Sequence, residues 1–473
     1  MADDLSSNYQ YPFPEAPEDL VKFGDGAIPG RPAGIPTSYE VGGSTRWTPE
    51  AISEVHALSQ LGRYQVRGFN TFNKRFPTFD DLTFVPATMT RLPLEGYREN
   101  CDTTTVLGGG RGLVEKPIEL KIPIYIASMS FGALSANAKE ALGHGASKVG
   151  TMTCTGEGGM LEEERAASNL LVYQMSPARY GLDLDHLRRA NGLEIVVGQG
   201  AKPGTGGLLL GMKVSPRVSR MRTLPEGVDQ RSTARHPDWL GADDLAIKVE
   251  ELRIATNYQV PIFLKMGATR PRYDVAIAAK AGVDVVVVDG AEGGTGASPE
   301  LMLNHTGIPT MSAIRAAREA LDECGMSGKV SLVAAGGIRS GVDAAKCLAL
   351  GADAVMIGNA AMISLGCNSP RYLDDYEKLG TAPGACHHCH TGLCPVGVAT
   401  QTPELTARMD VAAGAERVAR YLTAMTMEIT ALAKSCGKSN VHNLDIEDLR
   451  ALSFEASAFT GVKMAGIDRA YSW

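Results

Sequence analysis

From about residue 120 onward the apolar positions alternate between two textures. Short, nearly continuous apolar runs occupy 122–130 (IPIYIASMS), 150–156, 170–176, 194–200, 261–267, 283–290, 329–337 and 352–358. Between several of them lie longer stretches with apolar residues at helical spacing, such as 135–150, 308–325 and 340–351. Continuous apolar runs are expected of strands buried on both faces in a parallel sheet. Eight such runs, most followed by a helical pattern, predict an α/β chain folded as a (β/α)8 TIM barrel. An open doubly wound sheet would also alternate, but several of these runs end in polar or glycine-rich signatures, as the rim of a barrel would.

The spacing divides the chain into an N-terminal extension at 1–115, a barrel at 116–366, a cysteine-bearing loop at 367–403 and a C-terminal helical region at 404–473. The extension contains one amphipathic helix, expected over 48–62, and otherwise reads as a packing arm or subunit contact. Two insertions interrupt the barrel spacing, 201–241 after the fourth strand and 368–403 after the eighth. Loops of that length in a compact domain usually serve a function or meet a partner.

With 473 residues, the chain has room for a barrel of about 250 residues plus these additions. A formal net charge of −7 gives no reason to expect nucleic acid or a membrane face as partner. The N-terminus lacks a basic segment followed by an apolar one, and no apolar run reaches spanning length, so a cytoplasmic location is expected. The 9 cysteines are an odd number in a chain without an export signal, which argues against structural disulfides.

Candidate chemistry sits mostly where strands end. Gly336 and Gly337 follow the seventh strand, and Gly358 and Asn359 follow the eighth. Barrels most often hold a phosphate there, on bare backbone N–H groups. Polar residues interrupt otherwise apolar strands at Ser128, Ser130, Thr155, Gln199 and Lys265. A lysine within IFLKMG is costly to bury without an anion. Two partners fit it: an electron-rich ring edge such as that of a reduced flavin, or a structural carboxylate such as Asp289. Glu157 in TGEGG and Lys202 in GQGAKPG stand in glycine-framed turns open to a substrate. Gly293 and Gly294, in DGAEGGTGASP, let the chain pass close over a planar group. In CHHCHTGLCP, Cys386, Cys389 and Cys394 lie within nine residues, with Cys367 upstream. Clustered thiols in a chain without an export signal suggest an iron–sulfur cluster or, with His387, His388 and His390 interleaved, zinc.

Read together, SMSFGALS (128–135), TGEGG, GQGAKPG, GGTGASP, AAGGIRSG and CHTGLCPVGVATQ (389–401) occur in an order that resembles the FMN-binding domain of glutamate synthases, over roughly 85–405. The resemblance implies FMN in the barrel, facing Ser128, Met129, Thr155, Gln199 and Lys265, with its phosphate on the glycines after strands seven and eight and on Asn359. It implies that Glu157, Lys202 and Arg222 hold a dicarboxylate or its imine, with Glu157, Lys202 and Lys265 as the catalytic set. It further implies an iron–sulfur cluster, 3Fe–4S or 4Fe–4S, on Cys389, Cys394 and one or both of Cys367 and Cys386. The sequence departs from the family pattern at Thr205, where the family has Glu, and at STARHPD (232–238). A stand-alone barrel of this kind is similar to the third subunit of N-methylglutamate synthases. That similarity implies a hetero-oligomer with an amidotransferase-like subunit and a β-helix-like subunit, acting on glutamate and methylamine. The same layout in split glutamate synthases implies ammonia as the amine, and a degenerate, metal-binding scaffold is the alternative from another class.

Overall fold

The computed structural model describes residues 48–71 and 74–467. Eight parallel strands form one sheet: β1 (Ile124–Ile126), β2 (Thr153–Cys154), β3 (Leu171–Met175), β4 (Gly192–Val196), β5 (Ile262–Gly267), β6 (Val285–Asp289), β7 (Ser331–Ala335) and β8 (Ala354–Ile357). The sheet runs β1-β8-β7-β6-β5-β4-β3-β2. It closes between its two ends through the Ile126 amide, which donates to the Met152 carbonyl at 3.1 Å. The expected (β/α)8 barrel is the observed fold, and the closure excludes the open sheet. Seven of the eight apolar runs contain their strands, and the fourth strand, Gly192–Val196, begins two residues before its run at 194–200.

Side-chain alternation divides these strands between two cores. Val285 and Val287 of β6 point into the barrel with Phe263, Val333, Tyr125 and Met356, while Val286 and Val288 face the surrounding helices. The period of two in a strand causes that split. A hairpin that spans the junction of extension and barrel segment, Thr105–Leu107 against Ile118–Leu120, sends Leu107, Ile118 and Leu120 into the inner cluster and thereby extends the barrel interior.

The helices follow the strands in sequence: α1 (Ala136–Lys148), α2 (Glu162–Ala167), α3 (Leu184–Arg189), α4 (Ala242–Ala255), α5 (Pro271–Lys280), α6 (Thr310–Glu323), α7 (Gly341–Ala349) and α8 (Asn359–Leu365). In α6, Met311, Ile314, Ala317 and Leu321 recur at helical spacing and are buried. A long helix, α9 (Val411–Ser435), capped by Asp410, lays Val418, Leu422, Met425 and Ile429 against the barrel. It lies close to α1 because Gly145 has no side chain: a Cβ there would come within 2.7 Å of Val418 Cβ. No helix among the described residues is long and apolar enough to cross a membrane.

The N-terminal extension does more than pack. Its helix spans Pro49–Leu61, capped by Thr48 and ended by Gly62 in the left-handed region. The strand that follows, Val66–Phe69, pairs antiparallel with Thr295–Pro299, in the loop after β6. Arg67 holds Glu300 at 2.9 Å, and the Gly68 amide donates to the His387 carbonyl at 3.1 Å. The arm therefore ties the barrel mouth to the cysteine loop.

Candidate active site

A cavity of about 550 Å3 opens at the carboxyl ends of the strands. That is within the range of small-molecule and cofactor sites. Strand periodicity explains its floor. Lys265 stands two residues beyond the inward-facing Phe263, and Asp289 two beyond Val287, so both continue the barrel's inner face. Lys265 Nζ lies 3.5 Å from Asp289 Oδ2, with both side chains buried. The structural carboxylate considered for Lys265 is thus present, and the pair lies on the cavity wall.

On one side the wall is almost bare backbone. Gly293, Gly294, Gly336, Gly337, Gly358 and Asn359 all line the cavity. A Cβ at Gly294 would come within 2.3 Å of Asn359 Oδ1, and one at Gly336 would meet Thr310 Oγ1 at 2.8 Å. Glycine is required there for close approach, and at Gly336 also for its φ of 106°.

The opposite side gathers charge. Arg222, at the end of the short helix Pro216–Arg222 within the 201–241 insertion, is buried and stacks 5.7 Å from the Tyr180 ring. It donates to the carbonyls of Phe131 at 2.8 Å and Glu157 at 3.2 Å, while its Nε has no partner. Glu157 Oε1 is likewise shut off from solvent without a partner. Lys202 Nζ donates to the Ala297 carbonyl at 2.7 Å. Burial lowers Lys202 to about 8, against the pull of Glu157. A carboxylate, a lysine and an arginine with unspent hydrogen-bonding capacity suit a small ligand carrying both carboxylates and nitrogen.

Among the residues expected to face the cofactor, Ser128, Met129, Gln199 and Lys265 line the cavity and Thr155 does not. Thr155 is fully buried. Its hydroxyl donates to the Gly156 carbonyl and accepts from the Gln174 amide, joining the ends of β2 and β3. Gln199 Nε2 donates to Thr295 Oγ1 at 3.2 Å. Several lining residues went unnoticed in the sequence. Gln174 carries the same signal as Lys265, a polar residue in an apolar strand. Phe69, Lys74 and Phe76 arrive from the N-terminal arm, and nothing local marks them. Lys213, in the insertion, is buried, with Nζ donating to the carbonyls of Ala133 at 2.7 Å and Cys389 at 2.8 Å.

The cysteines meet in a second, narrower cavity. Cys367, Cys386, Cys389 and Cys394 all line it, with Met362, Tyr376, Val396 and Val398 around them. None is in a disulfide. Burial pushes the Cys389 thiol up to about 12, so its thiolate needs a cation nearby. Among the described residues, no three His, Cys, Asp or Glu side chains form a site for a single metal ion. Cys389, Met362 and Ala399 line both cavities and are the wall between them.

Fold and mouth together define a (β/α)8 barrel protein with its ligand site at the carboxyl ends of the strands. A solved flavocytochrome b2 variant with sulfite bound shares the fold, with a TM-score of 0.51 and 16% identity over 88% of each chain. The family is set by sequence: residues 65–439 match the conserved region in glutamate synthase, and the chain belongs to that family. It is 54% identical to a glutamate synthase large subunit-like protein of Rhizobium meliloti, over 88% of this chain and 93% of that one. It is 34% identical to the archaeal glutamate synthase [NADPH] of Methanocaldococcus jannaschii, over 89% and 85%.

Proposed function

We propose that this chain is the FMN- and iron–sulfur-carrying barrel subunit of an enzyme acting on the carbon–nitrogen bond of glutamate, with methylamine as the incoming amine, as in N-methylglutamate synthase. The observation that carries the reading is the mouth cavity, which has a glycine-lined side, the buried Lys265–Asp289 pair and, opposite, the unspent groups of Glu157 and Arg222. FMN fits this donor set. The glycines and Asn359 would take its phosphate, and Lys265 would meet the ring edge that gains negative charge on reduction. When bound, FMN supplies hydride acceptance and donation.

The chain's own residues supply the rest. Lys202 and Arg222 would pair with the substrate carboxylates and so orient the substrate in the mouth. Glu157 would hold or move the proton on the substrate nitrogen, as the amine is exchanged at the level of the 2-imino acid. Thr205, neutral and methyl-bearing, lines this side of the cavity where the family has a carboxylate. That exchange removes a desolvation cost against an N-methyl group. The four thiols, enclosed by apolar side chains around one cavity, are the donor set of an iron–sulfur cluster.

A second reading keeps the chemistry and changes the amine to ammonia with 2-oxoglutarate. Relatives named glutamate synthases favour it. Companion subunits of amidotransferase and β-helix type are expected under both. The test begins with FMN, iron and zinc measured on anaerobically purified protein. Zinc without flavin sinks both readings. Turnover of methylamine against ammonia by the assembled complex then decides, and faster turnover of ammonia selects the second reading.

A further inference from the structure

Below the cavity floor lies a hydrogen-bond network that the proposed chemistry does not use. Glu194, on β4, is 1% exposed inside the barrel and stands in register with Gln174 of β3 and Phe263 of β5. One of its oxygens, Oε1, collects three neighbours: Ser128 Oγ at 2.5 Å, Gln174 Nε2 at 2.6 Å and Cys154 Sγ at 3.6 Å.

That oxygen accepts from each of them, the Ser128 hydroxyl, the Gln174 carbamoyl nitrogen and the Cys154 thiol. Ser128 has a single hydroxyl hydrogen, which Glu194 takes. The Gln174 carbamoyl must present nitrogen to Glu194, because its oxygen would face another oxygen. That fixes the amide flip and leaves Gln174 Oε1 on the other side of the group. Ser128, Gln174 and Lys265, which can only donate, all line the cavity. Its wall therefore carries two acceptors and a cationic donor.

We propose that Glu194 is a positioning residue that fixes Ser128 and Gln174 as hydrogen-bond acceptors, so that the site selects a flavin by the imide N–H of its pyrimidine edge. This rests on the flavin reading above and deepens it. The imide N–H lies between two carbonyls, so a wall that offers both acceptors and a cationic donor complements that edge. Glu194 touches no ligand itself and acts through Ser128 and Gln174.

The test strips flavin from the purified protein and rebinds FMN and N3-methyl-FMN, which cannot donate from that nitrogen. The native protein is expected to prefer FMN by about tenfold or more, the cost of leaving a buried acceptor unpaired. Glu194→Gln offers its neighbours an N–H donor, frees their hydrogens to turn toward the cavity, and lowers the preference toward one. If affinity for both flavins falls in parallel and the ratio holds, Glu194 is only structural and the proposal is overturned. Should Glu194→Gln fail to fold, Ser128→Ala removes one acceptor in the native network. The ratio must then fall, and an unchanged ratio overturns the proposal. A native protein that binds both flavins equally overturns this inference alone, whereas one that binds neither overturns the flavin reading as well.

Discussion

Lys202 shows how burial can turn a side chain into a pH-dependent binding group. Its ammonium is lowered to about 8 by desolvation, well below its ordinary 10.5. With the native value below the unfolded one, the stability cost of burying the charge is fully present below pH 8. It is relieved as pH rises from about 8 toward 10.5, where only the unfolded chain still holds the proton. Ligand binding runs the other way, since a dicarboxylate needs the charged form. Dicarboxylate affinity, measured by titration, is expected to be flat below about pH 7 and to fall as pH rises past about 8. Lys202→Met should weaken binding at neutral pH and remove most of that slope. Lys265 makes a different case. Lys265→Met leaves Asp289 buried without its ion-pair partner, at a cost of about 3–5 kcal/mol in denaturant unfolding. Replacing both, as Lys265→Met with Asp289→Leu, should recover most of that stability and still fail to retain flavin. Recovery of flavin binding by the double variant would show that the pair serves packing alone.

At the scale of elements, the barrel was legible in the chain because each strand is buried on both faces. A run such as 285–288, four valines, leaves little else for it to be. Lys265 was legible for the same reason, as a charge placed in an apolar run. Gln174 and Glu194 carried a similar signal in their strands and were passed over. Thr155 was placed in the cavity because its strand ends there, but its hydroxyl is already spent on the backbone of β2 and β3. The arm was not legible at all. Arg67 and Glu300 are 233 residues apart, and no local pattern encodes their meeting. The arm's role can nevertheless be tested at one residue. A Cβ on Gly68 would lie 2.8 Å from both Cys389 Cβ and the Gly296 carbonyl. Gly68→Val must therefore push the strand off the cysteine loop. Iron content is expected to fall and protease cleavage near residue 68 to rise, with FMN content retained. Unchanged iron would mean that the loop holds its shape without the arm.

Over the whole molecule, two cavities share a wall made by Met362, Cys389 and Ala399. Cys389 borders the barrel mouth and the thiol-lined cavity together, and its carbonyl is held by buried Lys213, which also grips Ala133 near the cavity-lining segment 128–130. Barrel and cysteine loop are thus joined by hydrogen bonds through one buried lysine rather than across solvent. If the thiol cavity holds a redox cluster, electrons have a direct route to the mouth, and the barrel's own chemistry needs none of the thiols. Those two roles can be separated. In Cys389→Ser, iron is expected to be largely lost and FMN to remain, read from the absorption spectrum and metal content. Flavin bleaching by glutamate under anaerobic conditions should persist, because Glu157, Lys202, Arg222 and Lys265 are untouched. Reduction of the flavin by an external electron donor should slow sharply, since its path through the cysteine loop is broken. The same substitution at Cys367 should also cost iron, because all four thiols surround one cavity. Retention of a three-iron signal in Cys367→Ser, read by electron paramagnetic resonance, would instead assign the cluster to the three cysteines of 386–394.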